Sequence, residues 1–456
     1  MNNKLARLYF ALGTVLVVGL SSCGPENGSS SHGLSSSMNG DGSSSLLSSA
    51  DQAIYADEMQ KSFNFFYRNV SSDVLSPAYG LVADRARVSY ASTASTGFAL
   101  AGLPIGVENG FVTHDDAEER ALITLKNIEA LTNFHGFYWH FINMNDGTNN
   151  NNSEVSVIDT AIMVIGGLVA GEYFGGKAQT YAQKIYDRID WKWYTGIHNG
   201  KSQFRMSYSS GTASFAGYWD YYAEQLMLYV LGAGATNPDY RTGLSEYRGF
   251  TRAKGAYAGD NFIYSWFGSI FTYQYTHAFI DFRGIEDGDG VNWWKNSVDA
   301  SLAAYDWCQN YKSSIATYSE GAWGLTACDT RNGYSGWLGN YPRGWNSSEG
   351  GAAYKAIEGT IAPCGALGSM PFTPENSLKA LRNYAQKDDL YGLYGFYDSY
   401  DLVNSWTATS YIGIDKGITL LMMDNYLNGT VWRLSKQIQC LQDGLTRLEF
   451  KESEHA

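Results

Sequence analysis

Positive charge is what this sequence is short of. Its 456 residues hold 32 Lys and Arg against 45 Asp and Glu, a formal net charge of −13. No basic stripe is there to neutralise phosphates, which argues against nucleic acid as a partner. Proline is scarce too, at 8, so long helices can run without interruption. Cysteine numbers five, in spacings that match no zinc pattern. No phosphate-binding glycine motif, nucleophile elbow or zinc helix occurs. Asp287-Gly288-Asp289-Gly290 lacks the downstream acid of a calcium loop and reads as a turn, so neither metal nor cofactor is expected. Charged residues of both signs make up only 17%, while aromatics reach 15%, with 34 Tyr and 13 Trp. Flat rings with polar edges can cover a pyranose face, which points towards sugar; they also fill a thick helical core.

The N-terminus carries the most specific local signal. Lys4 and Arg7 precede an apolar run from Leu8 to Leu20, followed by Ser21-Ser22-Cys23-Gly24. That is the order of a secretory signal, and the run is short for a membrane span. Its ending resembles a bacterial lipobox. Residues 1–22 are therefore expected to be a lipoprotein signal peptide, with lipidation at Cys23 and a place in the cell envelope. Residues 23–50, nearly all Ser and Gly, read as a flexible tether. Residues 51–456 read as one domain. Cys308, Cys328, Cys364 and Cys440 remain, an even number that permits disulfides, although their neighbours equally suit buried thiols.

Helical periodicity dominates that domain. The spacing predicts helices over 51–70, 95–108, 115–133, 157–174, 177–189, 217–231, 293–311, 374–387 and 415–426. Segments apolar all round alternate with amphipathic ones, as inner and outer helical layers would require. Between them lie long Gly- and aromatic-rich stretches, at 136–152, 191–211, 248–268, 323–351 and 391–406. Loops of that length are functional or disordered, and these are too aromatic for disorder. They are expected to build a cleft at one end of an all-α body.

Glycosidic hydrolysis needs one protonated and one ionised carboxyl, about 6.5–9.5 Å apart in inverting enzymes, with environment separating their pKa values. In Tyr218-Trp219-Asp220-Tyr221-Tyr222-Ala223-Glu224, the two acids stand four apart. On one helix face they would repel, and the aromatic shell would keep one protonated. Glu224 is the candidate general acid. Glu154 stands just ahead of the helix that Ser156 and Asp159 open as a capping box, where the helix dipole favours a carboxylate. Asp415 stands likewise before the apolar run from Ile418. Each reads as a cap or as the base, and chemistry alone leaves both open. The candidates for holding sugar are Asp159, Trp219, Asp220, His277, Asp281, Arg283, Trp323, Asp329 and Trp337.

The motifs also form a series. GlyLeuValAlaAspArg (80–85), HisGlyPheTyrTrpHisPhe (135–141), SerGlu-x-Ser-x-IleAspThrAla (153–161), TyrThrHisAla-x-IleAspPheArgGly (275–284), TrpGlyLeuThrAlaCysAsp (323–329), TyrGlyPhe-x-Asp (394–398) and GlyIleAsp-x-Gly (413–417) occur in order. Together they resemble the bacterial glucoamylase-like domain, the group that includes the β-1,2-glucanases of glycoside hydrolase family 144. The resemblance runs from about Asp51 to Lys436. It implies a single (α/α)6 barrel and an inverting hydrolase taking β-1,2-glucan or its oligosaccharides as substrate; a monomer is the separate expectation. By motif, Glu154, Glu224 and Asp415 match positions where the family places essential acids. The alternatives of another glucan linkage, or of a surface lipoprotein that binds glycan without cutting it, also fit the residues.

Overall fold

Serine and threonine hydroxyls set the helix starts. The computed structural model describes residues 47–257, 261–265, 267–336, 338–339 and 359–453. Helix α1, Ser49–Arg68, opens with a capping box between Ser48 and Asp51. Ser92 caps α2 (Thr93–Glu108), Thr113 caps α3 (His114–Ala130) and Ser156 caps α4 (Val157–Phe174), each accepting the N–H three residues on. Helix α5, Gly176–Asp187, buries a stripe of Ala178, Ala182, Ile185 and Tyr186, while α6, Leu226–Gly234, is buried throughout. Further helices span Trp293–Tyr311, Pro374–Tyr384 and Gly413–Leu427, the last buried from Asp415 to Asn425.

The small residues of α4 have a packing reason. A Cβ at Gly166 would run into the Gly97 carbonyl of α2, and one at Gly97 into the Ile162 carbonyl of α4. The two backbones touch, and only glycine permits it. Although α4 is long and apolar enough to cross a membrane, 72% of its apolar window lies inside the protein, as a core helix.

The all-α expectation needs correction. The stretches between helices carry short strands: β1 (Tyr90–Ser92), β2 (Tyr138–Trp139), β3 (Phe141–Asn143), β4 (Val155–Ser156), β5 (Thr195–His198), β6 (Lys201–Ser209) and β7 (Ser214–Tyr218). An antiparallel sheet runs β2-β4-β6-β5 with β7 also paired to β6, and β1 pairs with β3. Two-residue ladders tie Tyr391–Gly392 to Gly395–Phe396 and Tyr400–Asp401 to Trp406–Thr407. The result is a helix-rich fold with small antiparallel sheets. The helix expected over 217–231 is the other casualty. Ser207 pairs with Ala216 and Arg205 with Tyr218, which draws 214–218 into the sheet, and Gly217 takes φ +66°. Helix begins only at Leu226.

The sheets position the helix ends. Strand β1 ends on the cap of α2, and β4 on the cap of α4. The Thr93 N–H donates to the His140 carbonyl (3.0 Å), and the Gly413 N–H to the Asp84 carbonyl (2.6 Å). Arg85 bridges to Ile412, the N-cap of Gly413–Leu427. The N-termini of three buried helices thus meet in one neighbourhood. Below them the core is aromatic, with Trp191, Trp293, Trp323 and Trp432 fully buried. Cys308, Cys328, Cys364 and Cys440 are buried free thiols.

Candidate active site

Acidic side chains collect where those N-termini meet. Glu154 and Asp159 flank the start of α4, and His140 comes from the turn between β2 and β3. His140 Nδ1 lies 2.9 Å from Glu154 Oε1, and its Nε2 lies 3.5 Å from Asp159 Oδ1. Phe141 stacks on the ring, its centroid 3.8 Å away. Burial opposes charge on His140, but Asp159, Glu154 and Asp84 outweigh it and lift its pKa to about 9. The hydrogen bond from His140 in turn holds the Glu154 carboxyl below its usual range. Asp159 is also the cap partner of Ser156, whose hydroxyl bonds its carboxylate. Its cap role and its place in the site coexist.

A second group adjoins the first. Arg85 Nη1 meets both oxygens of Asp329, at 3.3 and 3.2 Å, and its Nε meets Asp84 at 3.3 Å. Burial opposes its charge, but the two carboxylates hold it charged. Burial raises Asp84, against the pull of Arg85, and Asp84 feels both His140 and Asp159, which joins the two groups electrostatically. The Asp329 N–H donates to Asp398 Oδ2 (2.6 Å), and the Cys364 thiol donates to Asp415 Oδ1 (3.3 Å). Burial raises both Asp398 and Asp415, and each carboxyl acts on the titration of the other. Asp415 lies in the first turn of its helix, not at the cap, which is Ile412.

Glu224 stands just before α6. The Thr276 hydroxyl donates to its carbonyl (2.8 Å) and accepts the Met227 N–H (3.1 Å), fixing the helix entry. Burial, with Asp159 adding its charge, pushes the Glu224 carboxyl up to about 7. The acid that couples to it is therefore Asp159 on α4. Asp220 instead pairs with His198 at 3.8 Å, and with no helix over 219–225 the expected shared face does not exist. Between the groups lies Tyr275. Burial raises its hydroxyl, and the charges of Asp415 and Glu224 both add to the rise. Glu154, Glu224 and Asp415 are thus linked electrostatically, through His140 and Asp159 on one side and Tyr275 on the other. Exposure is graded across them: 41% for the Glu154 side chain, 5% for Asp415.

Other expected sugar contacts lie elsewhere. His277 is 1% exposed among Phe282, Trp294 and Phe372, its Nε2 2.9 Å from Ser297 Oγ, and burial drops its pKa to about 3. It is a neutral core histidine. Asp281 pairs with Arg283 (2.9 Å) and Lys436 (2.7 Å), and the Arg283 guanidinium covers the Trp432 ring. Trp323 is 0% exposed and donates to the Asn376 carbonyl (3.2 Å), so it is core rather than a stacking platform. Trp219 is likewise buried. Trp337 and Cys23 lie outside the described residues. What sequence reasoning missed are His140, Asp84, Arg85 and Asp398. All four sit inside motifs already noticed (80–85, 135–141 and 394–398), and a polar residue closing an apolar-aromatic motif was the available signal.

Residues 217–439 match the model of the family Glycoamylase, described as "putative glucoamylase". Over that span the chain is similar to this family. The matched span includes Glu224, Asp329, Asp398 and Asp415, while Asp84, His140, Glu154 and Asp159 precede it. An exo-β-1,2-glucooligosaccharide sophorohydrolase (non-reducing end) of Parabacteroides distasonis is 25% identical over 398 residues, covering 78% of this chain. Those residues are 53% of that protein, so the chain spans about half the length of its curated relative. A Bacteroides uniformis crystal structure, described in the same words as the family, is 25% identical with a TM-score of 0.77, covering 89% of this chain and 98% of its own. An endo-β-1,2-glucanase from Chitinophaga pinensis, in complex with sophorotriose and glucose, shares the fold: TM-score 0.77, 23% identity, 89% of this chain and 99% of that one.

Proposed function

We propose that this chain is a glycoside hydrolase that cleaves β-1,2-glucan or the oligosaccharides derived from it, with inversion. One observation carries the reading: a carboxyl poised near neutrality, Glu224, stands within electrostatic reach of ionisable acids on other buried helices. The relatives that act on β-1,2-glucans supply the substrate class. Glu224, protonated, gives its proton to the glycosidic oxygen as the bond from C1 to that oxygen breaks. A water adds its oxygen to C1 from the opposite face and loses a proton to the base. A base must be ionised yet able to take up that proton. His140 stabilises the charge of Glu154 and makes it a poor acceptor. Asp415, raised by burial, suits the role better. Asp84, Asp159, Asp329 and Arg85 then hold sugar hydroxyls around the pair.

The body that carries this site is read as an (α/α)6 barrel, supported by the alternation of buried α2, α4 and α6 with half-buried α3 and α5. The lipobox-like ending at Cys23 supports a lipid anchor in the cell envelope, and Cys23→Ala expressed in a bacterium is expected to move the protein from the membrane to the soluble fraction. Activity is tested with Glu224→Gln on linear β-1,2-glucan. Loss of one proton donor is expected to cut kcat by about 10²–10⁴-fold while binding, followed by calorimetry, survives. Normal turnover in that variant would remove the assignment. NMR of the first-formed anomer decides inversion, and the product lengths decide internal against terminal cleavage.

A further inference from the structure

Asp398 is a buried acid that the scheme above does not use. Its carboxyl is 4% exposed and that of Asp415 5%, and both line the same cavity beside the start of helix Gly413–Leu427. Each has one oxygen accounted for. Asp398 Oδ2 takes the Asp329 N–H, and Asp415 Oδ1 takes the Cys364 thiol. Each also has one buried oxygen with no hydrogen-bond partner, Asp398 Oδ1 and Asp415 Oδ2. Ionised carboxylates only accept hydrogen bonds, so two in contact would repel and leave both oxygens unsatisfied. A single proton between them removes both problems at once.

We infer that Asp398 and Asp415 share one proton, held by Asp398, so that Asp398 is a positioning residue that keeps Asp415 ionised and fixed in orientation. The surroundings decide which partner keeps the proton. Asp415 has the Cys364 thiol as a donor and the positive charge of Arg85 in reach, both favouring its charged form against the negative charge of Asp329. Asp398 has one backbone donor and no cation among the groups acting on it, and burial, then the charge of Asp415, then that of Asp329 oppose its ionisation. Lys416, next in the chain, does not neutralise the pair. Its ammonium is 2.6 Å from Glu58 and 3.2 Å from the Phe396 carbonyl. Among the described residues, the other titratable groups facing the two acids include the Cys328 thiol and the hydroxyls of Tyr275 and Tyr411, all raised by burial and so neutral.

The role of Asp415 as base rests on the proposed hydrolase activity, whereas the shared proton does not, and two measurements separate them. Infrared difference spectra of parent minus Asp398→Asn at neutral pH are expected to show the loss of one buried protonated carboxyl band. Absence of that band overturns the inference, whatever the enzyme cuts. On β-1,2-glucan, Asp398→Asn keeps a donor towards Asp415 and an acceptor for the Asp329 N–H, and is expected to retain activity within about tenfold of the parent. Asp398→Ala removes the donor and is expected to move the acid limb of kcat/KM upward by about one pH unit. Asparagine at 398 proving as damaging as Asp415→Asn would make Asp398 itself the ionised base and refute its neutral role. An unmoved acid limb in Asp398→Ala would refute the coupling. A parent without glucanase activity would sink the hydrolase reading alone, leaving the infrared result to judge the proton.

Discussion

A carboxyl lifted to about 7 changes stability as well as chemistry. Glu224 binds its proton more tightly folded than unfolded, because its ordinary value is 4.5. The stabilisation from that proton is fully present below about 4.5 and is lost as pH rises through about 7. Glu224→Gln, neutral at every pH, is therefore expected to melt higher than the parent above pH 7, with the gap closing towards pH 4.5. Melting curves across that window test it, and a constant gap would deny the shift. At this scale sequence reading did well where chemistry is local and poorly where burial decides. Ser156 and Asp159 were legible as a cap because three residues separate them. His277 was not legible as core, since Phe372 and Trp294 reach it from distant parts of the chain.

Among the elements, the last long helix is anchored to the first by charge. Lys416 and Glu58 are buried at 4% and 0% exposure, and the Glu58 carboxylate also takes the Ser62 hydroxyl (3.0 Å) and the Phe396 N–H (3.0 Å). Replacing Lys416 by Met leaves that carboxylate buried without its cation, which costs about 3–5 kcal/mol. Urea unfolding is expected to show a loss of that order, while Lys416→Met with Glu58→Gln together should recover most of it. Helix positions were largely readable from the sequence: α1, α3, α4 and Trp293–Tyr311 lie within a few residues of their predicted bounds. The strands were not. Their aromatic alternation looked like loop chemistry, and the pairing of β4 with β6 joins segments some fifty residues apart. The same long-range pairing took Tyr218 out of the predicted helix, and with it the supposed partnership of Asp220 and Glu224.

For the whole molecule, the negative balance has a kinetic meaning. With a net charge of −13 and a proposed glucan substrate that carries none, no long-range attraction should speed encounter. The proposed hydrolase is expected to show kcat/KM flat from low to moderate salt, and a steep fall with salt would point to a charged substrate instead. Fold class was legible as helical because periodicity is a local property. The place where the site assembles was legible only through family motifs, because nothing in the spacing of residues 84, 140, 154, 224, 329, 398 and 415 says that they meet.

That dispersal along the chain makes turnover a late product of folding. The helices can form from neighbouring residues, but the cluster needs closure of loops hundreds of residues long, and slow non-local pairing governs when that happens. After dilution from denaturant, recovered glucan cleavage should trail the recovered helical circular dichroism. An enzyme read this way is its own sensor of completed assembly: a helical but still inactive population marks chains in which distant segments have not yet found one another.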